Sequence, residues 1–165
     1  MRITASNGAA VNLDPLRWQF PPNTGDWDDQ WLVISGHVDL GDESWSFTDP
    51  CLLMAEAREL AAWLRAASEG RINPDPHTVG EKPQPSLSFM EPVLGFSVAA
   101  HNETGLVVRV YFTAEGAPPR LRDHDPHLAY HIMDLQVHPD ELLAAADTWT
   151  RQLDALPARP WAKPG

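Results

Sequence analysis

Apolar and polar positions alternate with a period of two along much of the chain, and two stretches break that rhythm with the period of a helix. Val11, Leu13, Leu16, Trp18 and Phe20 predict a strand interrupted near Pro15, closed by the turn-forming run Pro21-Pro22-Asn23-Thr24-Gly25. Leu32, Ile34, Val38 and Leu40 then alternate with polar or small residues across Ser35, Gly36, His37 and Asp39, as a half-buried strand requires. Gly41-Asp42-Glu43 supplies a hairpin loop, and Trp45 and Phe47 alternate with Ser44, Ser46 and Thr48 on the return. Asp49-Pro50 predicts a helix start, because the carboxylate can accept backbone N–H groups while proline occupies the first turn, where no donor is needed. Leu53, Ala57, Leu60, Ala61 and Leu64 form the apolar stripe of that helix, and Gly70 ends it.

The second half repeats this order. A surface loop from Arg71 to Pro85 holds Pro74, Pro76, Gly80, Pro83 and Pro85, and Leu87 and Phe89 begin a short strand after it. Leu94, Phe96 and Val98 predict a strand that pairs, through His101 to Gly105, with Leu106, Val108, Val110 and Phe112. A loop from Ala114 to Pro126 leads to a last strand from Leu128 to Val137, and His138-Pro139-Asp140-Glu141 opens a helix whose stripe is Leu142, Ala146, Trp149 and Leu153. Placing Pro50 on Pro139 superposes Leu53, Met54, Ala57, Leu60 and Leu64 on Leu142, Leu143, Ala146, Trp149 and Leu153. That match suggests a strands-then-helix duplication, although any two amphipathic helices that begin with proline share it.

Strands in short-looped succession pair antiparallel, and two one-faced helices need a sheet to cover. The expected class is therefore α+β: a mainly antiparallel, curved sheet of about seven to eight strands covered by two amphipathic helices. At 165 residues, 43% apolar with seven Trp, the chain suits one core. We expect a single domain over residues 1–156 and a frayed proline-rich tail over 157–165, where Pro157, Pro160 and Pro164 prevent further helix.

The formal net charge is −11 with no Lys/Arg cluster, which argues against a direct nucleic-acid partner and is compatible with a basic protein one. The polar, Gly-containing start Met1-Arg2-Ile3-Thr4-Ala5-Ser6-Asn7-Gly8 does not read as an export signal. The longest apolar runs, such as Leu60 to Leu64, fall far short of the about 20 residues a membrane span needs. The lone Cys51 cannot form an internal disulfide, so we expect a cytoplasmic protein with no membrane association.

Candidate chemistry is sparse. Asp123-His124-Asp125-Pro126-His127, with His131 four residues on, carries good ligands for zinc and other divalent ions, but at no established spacing. His127 and His131 on one extended strand would be about 13 Å apart, too far to share an ion, and a solvated acidic loop is the plainer reading. Cys51 has no recognisable partner, Gly-x-Ser-x-Gly and phosphate loops are absent, and no cofactor is called for. Glu56 with Glu59, and Asp28 with Asp29, read better as solvated faces than as acid/base pairs. The sharper feature is Gly25-Asp26-Trp27-Asp28-Asp29-Gln30-Trp31, where two large aromatics alternate with carboxylates ahead of a strand. Aromatic anchors beside steering charges suit a protein interface, to which the acidic strand ends Asp39, Asp42 and Glu43 are natural additions. Trp31 as core and Trp27 as a loop pin remain the alternative.

Leu16-Arg17-Trp18-Gln19-Phe20, Asp28-Asp29-Gln30-Trp31-Leu32-Val33-Ile34 and Trp45-Ser46-Phe47-Thr48-Asp49-Pro50-Cys51-Leu52, with Glu56-Ala57-Arg58-Glu59-Leu60 and Phe89-Met90-Glu91-Pro92-Val93-Leu94-Gly95-Phe96, resemble the WapI-type family of bacterial immunity proteins. The resemblance spans most of the chain. It implies a cytoplasmic, non-catalytic protein that binds the carboxy-terminal effector domain of a polymorphic or contact-dependent toxin and blocks it. Many such effectors are basic nucleases, which an acidic inhibitor suits. The shared residues are mostly aromatic and aliphatic, and the resemblance carries no functional residue over to this chain. A small-molecule or metal-binding protein, and a non-catalytic subunit of another complex, are the alternatives.

Overall fold

The structure, a computed structural model, describes residues 1–22, 27–75, 84–123 and 129–159, with only the backbone of Trp27. Eight strands form two antiparallel four-stranded sheets, each in simple sequence order. The first comprises β1 (Arg2–Thr4), β2 (Ala10–Trp18), β3 (Trp31–Asp39) and β4 (Ser44–Leu53), followed by helix α1 (Met54–Ser68). The second comprises β5 (Leu87–Ser88), β6 (Leu94–Asn102), β7 (Gly105–Thr113) and β8 (Tyr130–Val137), with the short helix α2 (Pro119–Arg122) between β7 and β8 and α3 (Pro139–Asp154) after them. The α+β class and the strands-then-helix order of each half are as expected, with the strands divided between two sheets.

Bulges explain where the helix boundary moved. Ile34 pairs with Asp49 and Leu32 with Leu52, so Pro50 and Cys51 together oppose Val33. A bulge is one of the few places a strand tolerates proline, which has no N–H for the ladder. Asp49-Pro50 therefore kinks β4 instead of starting the helix, and the strand continues to Leu53. Helix α1 begins one turn later at Met54, with the Leu53 N–H donating to the Glu56 carboxylate at 2.8 Å. That is half of a capping box, and it makes Glu56 a partly buried structural group instead of a solvated one. Pro50 and Pro139 are thus not equivalent, since only Pro139 opens a helix. The apolar stripes still correspond when the helix starts are matched, because a shift of four residues returns to the same face.

The strand β1 and the helix α2 were not expected. Both are short: β1 offers only three residues, too few to establish a period, and pairs with β2 across a turn where Gly8 has φ +91°. Leu128 and its neighbours at 124–128 lie outside the described residues.

A continuous buried cluster runs from Met1 and Ile3 through both sheets to Trp149 and Leu153. The helices pack antiparallel on each other: Arg58 near the start of α1 pairs with Asp154 at the end of α3 at 3.6 Å, and Arg65 farther along pairs with Asp147. Between them Trp149 is fully buried and donates its indole N–H to the Ala57 carbonyl at 2.7 Å, combining a large apolar surface with a satisfied polar group. The sheets adjoin where the Ser6 N–H donates to the Gln136 carbonyl at 2.9 Å. They also meet where Trp45 of β4 packs edge-on to Phe112 and His131, with centroids 5.6 and 5.3 Å away.

Residues 157–159, expected to fray, lie against β2. The Trp18 indole N–H donates to the Pro157 carbonyl at 2.9 Å, and the Arg159 guanidinium carbon lies over the Trp18 ring, 4.5 Å from its centroid. Residues 160–165 lie outside the described residues.

Candidate functional site

Three chain turns converge at the end of the first sheet where β3 begins. The helical turn Trp27–Gln30 delivers Trp31 into β3, the β4 bulge presents Asp49, and the turn Ala114–Gly116 follows β7. Tight local packing sets the last of these. A side chain on Gly116 would come within 2.8 Å of the Val93 carbonyl oxygen, and the Gly116 carbonyl accepts the buried Trp45 indole N–H at 2.9 Å. Glu115 is therefore held at a fixed place. Glu91 is placed from the other side, because the Glu56 carboxylate that caps α1 also accepts the Met90 N–H at 2.7 Å.

These segments wall an open cleft of about 390 Å³. Asp28, Asp49, Glu91 and Glu115 line it together with Phe20 and Trp31. Among the described residues none of these four carboxylates has a hydrogen-bond or ion-pair partner. The half-buried Asp49 carboxyl is shifted above its ordinary value, first by loss of water and then by the negative charges of Glu115 and Glu91. Exposed Phe20 and the neighbouring Met90 add apolar surface. Such a cleft can accept a cationic side chain with an apolar stem.

The sequence-based interface residues are divided by this geometry. Asp28 and Trp31 line the cleft, whereas Asp29 is buried beneath it, with its carbonyl accepting from Arg159 at 2.8 Å. Asp26 and the Trp27 side chain lie outside the described residues. Asp39, Asp42 and Glu43 sit at the opposite end of β3, about 26 Å away by strand rise. There the Asp39 carboxylate accepts the Gly41 N–H at 2.8 Å, and Glu43 forms a two-pronged pair with Arg120 at 2.8 and 3.0 Å. Only Asp42 of the three is exposed and without a partner among the described residues. Glu91, Glu115 and Asp49 were missed as site residues. Each adjoins a turn or bulge former, Pro92, Gly116 or Pro50, and an acid beside a chain reversal was the available signal.

The family model of the WapI-like immunity proteins matches residues 2–157 of the 165. The chain belongs to the WapI-like immunity protein family. No curated protein and no solved structure gives a significant match to it.

In this WapI-like chain only two of the five metal-ligand candidates, Asp123 and His131, lie among the described residues. Asp123 is exposed at the end of α2, and His131 is half-buried against Trp45 on β8. Burial, and secondarily the Arg120 charge, push the His131 imidazole below its ordinary pKa, partly offset by Glu43. His124, Asp125 and His127 lie outside the described residues. Among the described residues no three His, Cys, Asp or Glu side chains converge to hold an ion, and no helix is long and apolar enough to cross a membrane. Cys51 is fully buried, and desolvation, reinforced by Asp49, pushes its thiol up and keeps it protonated. A protonated, inaccessible thiol is a poor nucleophile.

Proposed function

We propose that this protein is a cytoplasmic immunity protein that binds and neutralises the effector domain of a cognate bacterial toxin by occlusion, without catalysis. Family membership over residues 2–157 carries the reading. The site chemistry supports it and suggests the face: a basic surface of the effector domain seats at the Asp49 cleft, with Asp28, Glu91 and Glu115 receiving its Lys or Arg side chains. Charges of this sign speed encounter with a basic partner, and carboxylates can occupy a groove built for phosphate. The net charge of −11 disfavours direct contact of this chain with a nucleic-acid backbone.

Co-expression with the effector domain of a neighbouring toxin gene tests the function. Rescue of growth and a stable complex on a sizing column are expected. Continued toxicity with no complex would reject the pairing.

A further inference from the structure

The described carboxy-terminal segment contains a well-buried cation that the proposed function does not use. The Arg159 side chain is 8% exposed and lies two residues past the stretch that matches the family. Its guanidinium donates to the Phe20 carbonyl and, at 2.8 Å, to the Asp29 carbonyl. The Asp29 carboxylate approaches within 4.0 Å, and the guanidinium carbon lies over the Trp18 ring, 4.5 Å from its centroid. The two carbonyls belong to segments that reach the cleft from different directions: Phe20 at the end leaving β2, and Asp29 in the helical turn that leads into β3. Their neighbours in the cleft wall are Phe20 itself and Asp28. A planar, forked donor can bridge two carbonyls while lying over an indole, which a lysine ammonium cannot reproduce. The β2–β3 ladder ends at Trp18 opposite Leu32, and beyond it the Gln19 N–H donates to the Trp31 carbonyl at 2.9 Å.

We infer that Arg159 is a positioning residue: it fastens residues 157–159 as a strap across the end of β2 and fixes the Phe20 and Asp28 wall of the cleft. The link to binding rests on the proposed toxin-neutralising role, whereas the strap itself does not. Pre-ordering that wall spares an incoming partner the entropy of ordering it.

Amide hydrogen exchange on the purified full chain decides the strap. In Arg159→Ala, exchange at Gln19 and at residues 28–31 should quicken by about tenfold or more, while Ser6 at the sheet junction and the amides of β6 to β8 keep wild-type rates. Arg159→Lys should give an intermediate result, and a chain ending at Leu156 should match the alanine variant, so the question stays decidable if one variant folds poorly. Unchanged exchange at Gln19 and 28–31, or a uniform rise across the whole chain, overturns the strap. With an effector domain that binds the wild type, Arg159→Ala should weaken affinity about tenfold at a temperature well below unfolding. Loosened exchange with unaltered affinity overturns the positioning role. If the wild type binds no effector, the proposed function fails and the exchange result still decides the strap.

Discussion

The two ends of β3 are both acidic, and they handle their charge in opposite ways. At the hairpin end Glu43 is matched by Arg120 and Asp39 closes a turn, so the carboxylates there stabilise the fold they belong to. At the cleft end four carboxylates share a concave surface to which no described cation contributes a lining side chain, and Asp49 is held above its ordinary pKa first by burial and then by the charges of Glu115 and Glu91. Like charges placed close together destabilise a sheet. Acids that hold a turn or an ion pair are accounted for by the fold, whereas mutually repelling acids in a cleft are what a binding site leaves unsatisfied until its partner arrives. Counting acids in the sequence around the two ends of β3, Asp26, Asp28 and Asp29 against Asp39, Asp42 and Glu43, would rank them equally.

The largest expected effect separates the ends by affinity. Asp28→Lys combined with Glu91→Lys should weaken binding of the effector domain by at least about 100-fold, since reversing interface charges replaces attraction with repulsion worth several kcal/mol. Asp42→Lys at the hairpin should change it by less than about threefold, as a charge outside the contact acts only through a screened field. Titration calorimetry on the three chains checks both. Comparable losses at the two ends would make the whole acidic edge the contact, with no difference in role between them.

Why only part of this was legible in the sequence follows from the distances involved. Period-two alternation and helical stripes are local, so β2, β3, β4, β6, β7 and β8 and both long helices could be read directly from their apolar spacing. The division into two sheets depends on which strands fail to pair, and no local pattern reports it. Asp49-Pro50 misled because proline suits the first turn of a helix and also a bulge; what decides is the partner strand, where Val33 faces two residues at once. The cleft was half legible. Asp28 and Trp31 stood out as an aromatic-acidic cluster, but Glu91 and Glu115 are 63 and 87 residues beyond Asp28 in the sequence and become its neighbours only through the fold. Arg159 was read as tail because its partners, Phe20 and Asp29, lie at the far end of the chain.

A smaller effect should appear with Asp49→Asn, which removes a charge and little volume. Stability at pH 7 is expected to rise by about a few tenths of a kcal/mol as a half-buried charge is removed and, with it, the repulsion from Glu115 and Glu91. Affinity for the effector domain should fall about tenfold with the loss of one attractive charge. A substitution that stabilises the free protein and weakens the complex is the pattern of a residue kept for binding. If Asp49→Asn destabilises the chain, Asp49 has a structural role and the cleft is not strained.

The smallest effect tests the same contrast without any partner, through pH. Asp49 has a folded pKa above its ordinary 3.8, so the native state holds that proton more tightly than the unfolded chain does. Its contribution to stability is therefore lost as pH rises through the raised value. Glu43 has a folded pKa below its ordinary 4.5, chiefly because Arg120 donates to its charged form. Its contribution is present above that ordinary value and lost as pH falls through the lowered one. Denaturant titrations from pH 3 to 7 on the two single variants should then diverge from wild type in opposite senses. The Asp49→Asn advantage should grow with pH, whereas the Glu43→Gln deficit should appear only above the acid range and vanish in about 1 M salt, where an exposed pair is screened. Two variants that shift stability in the same direction across that range would mean that the ends of β3 carry their charge alike.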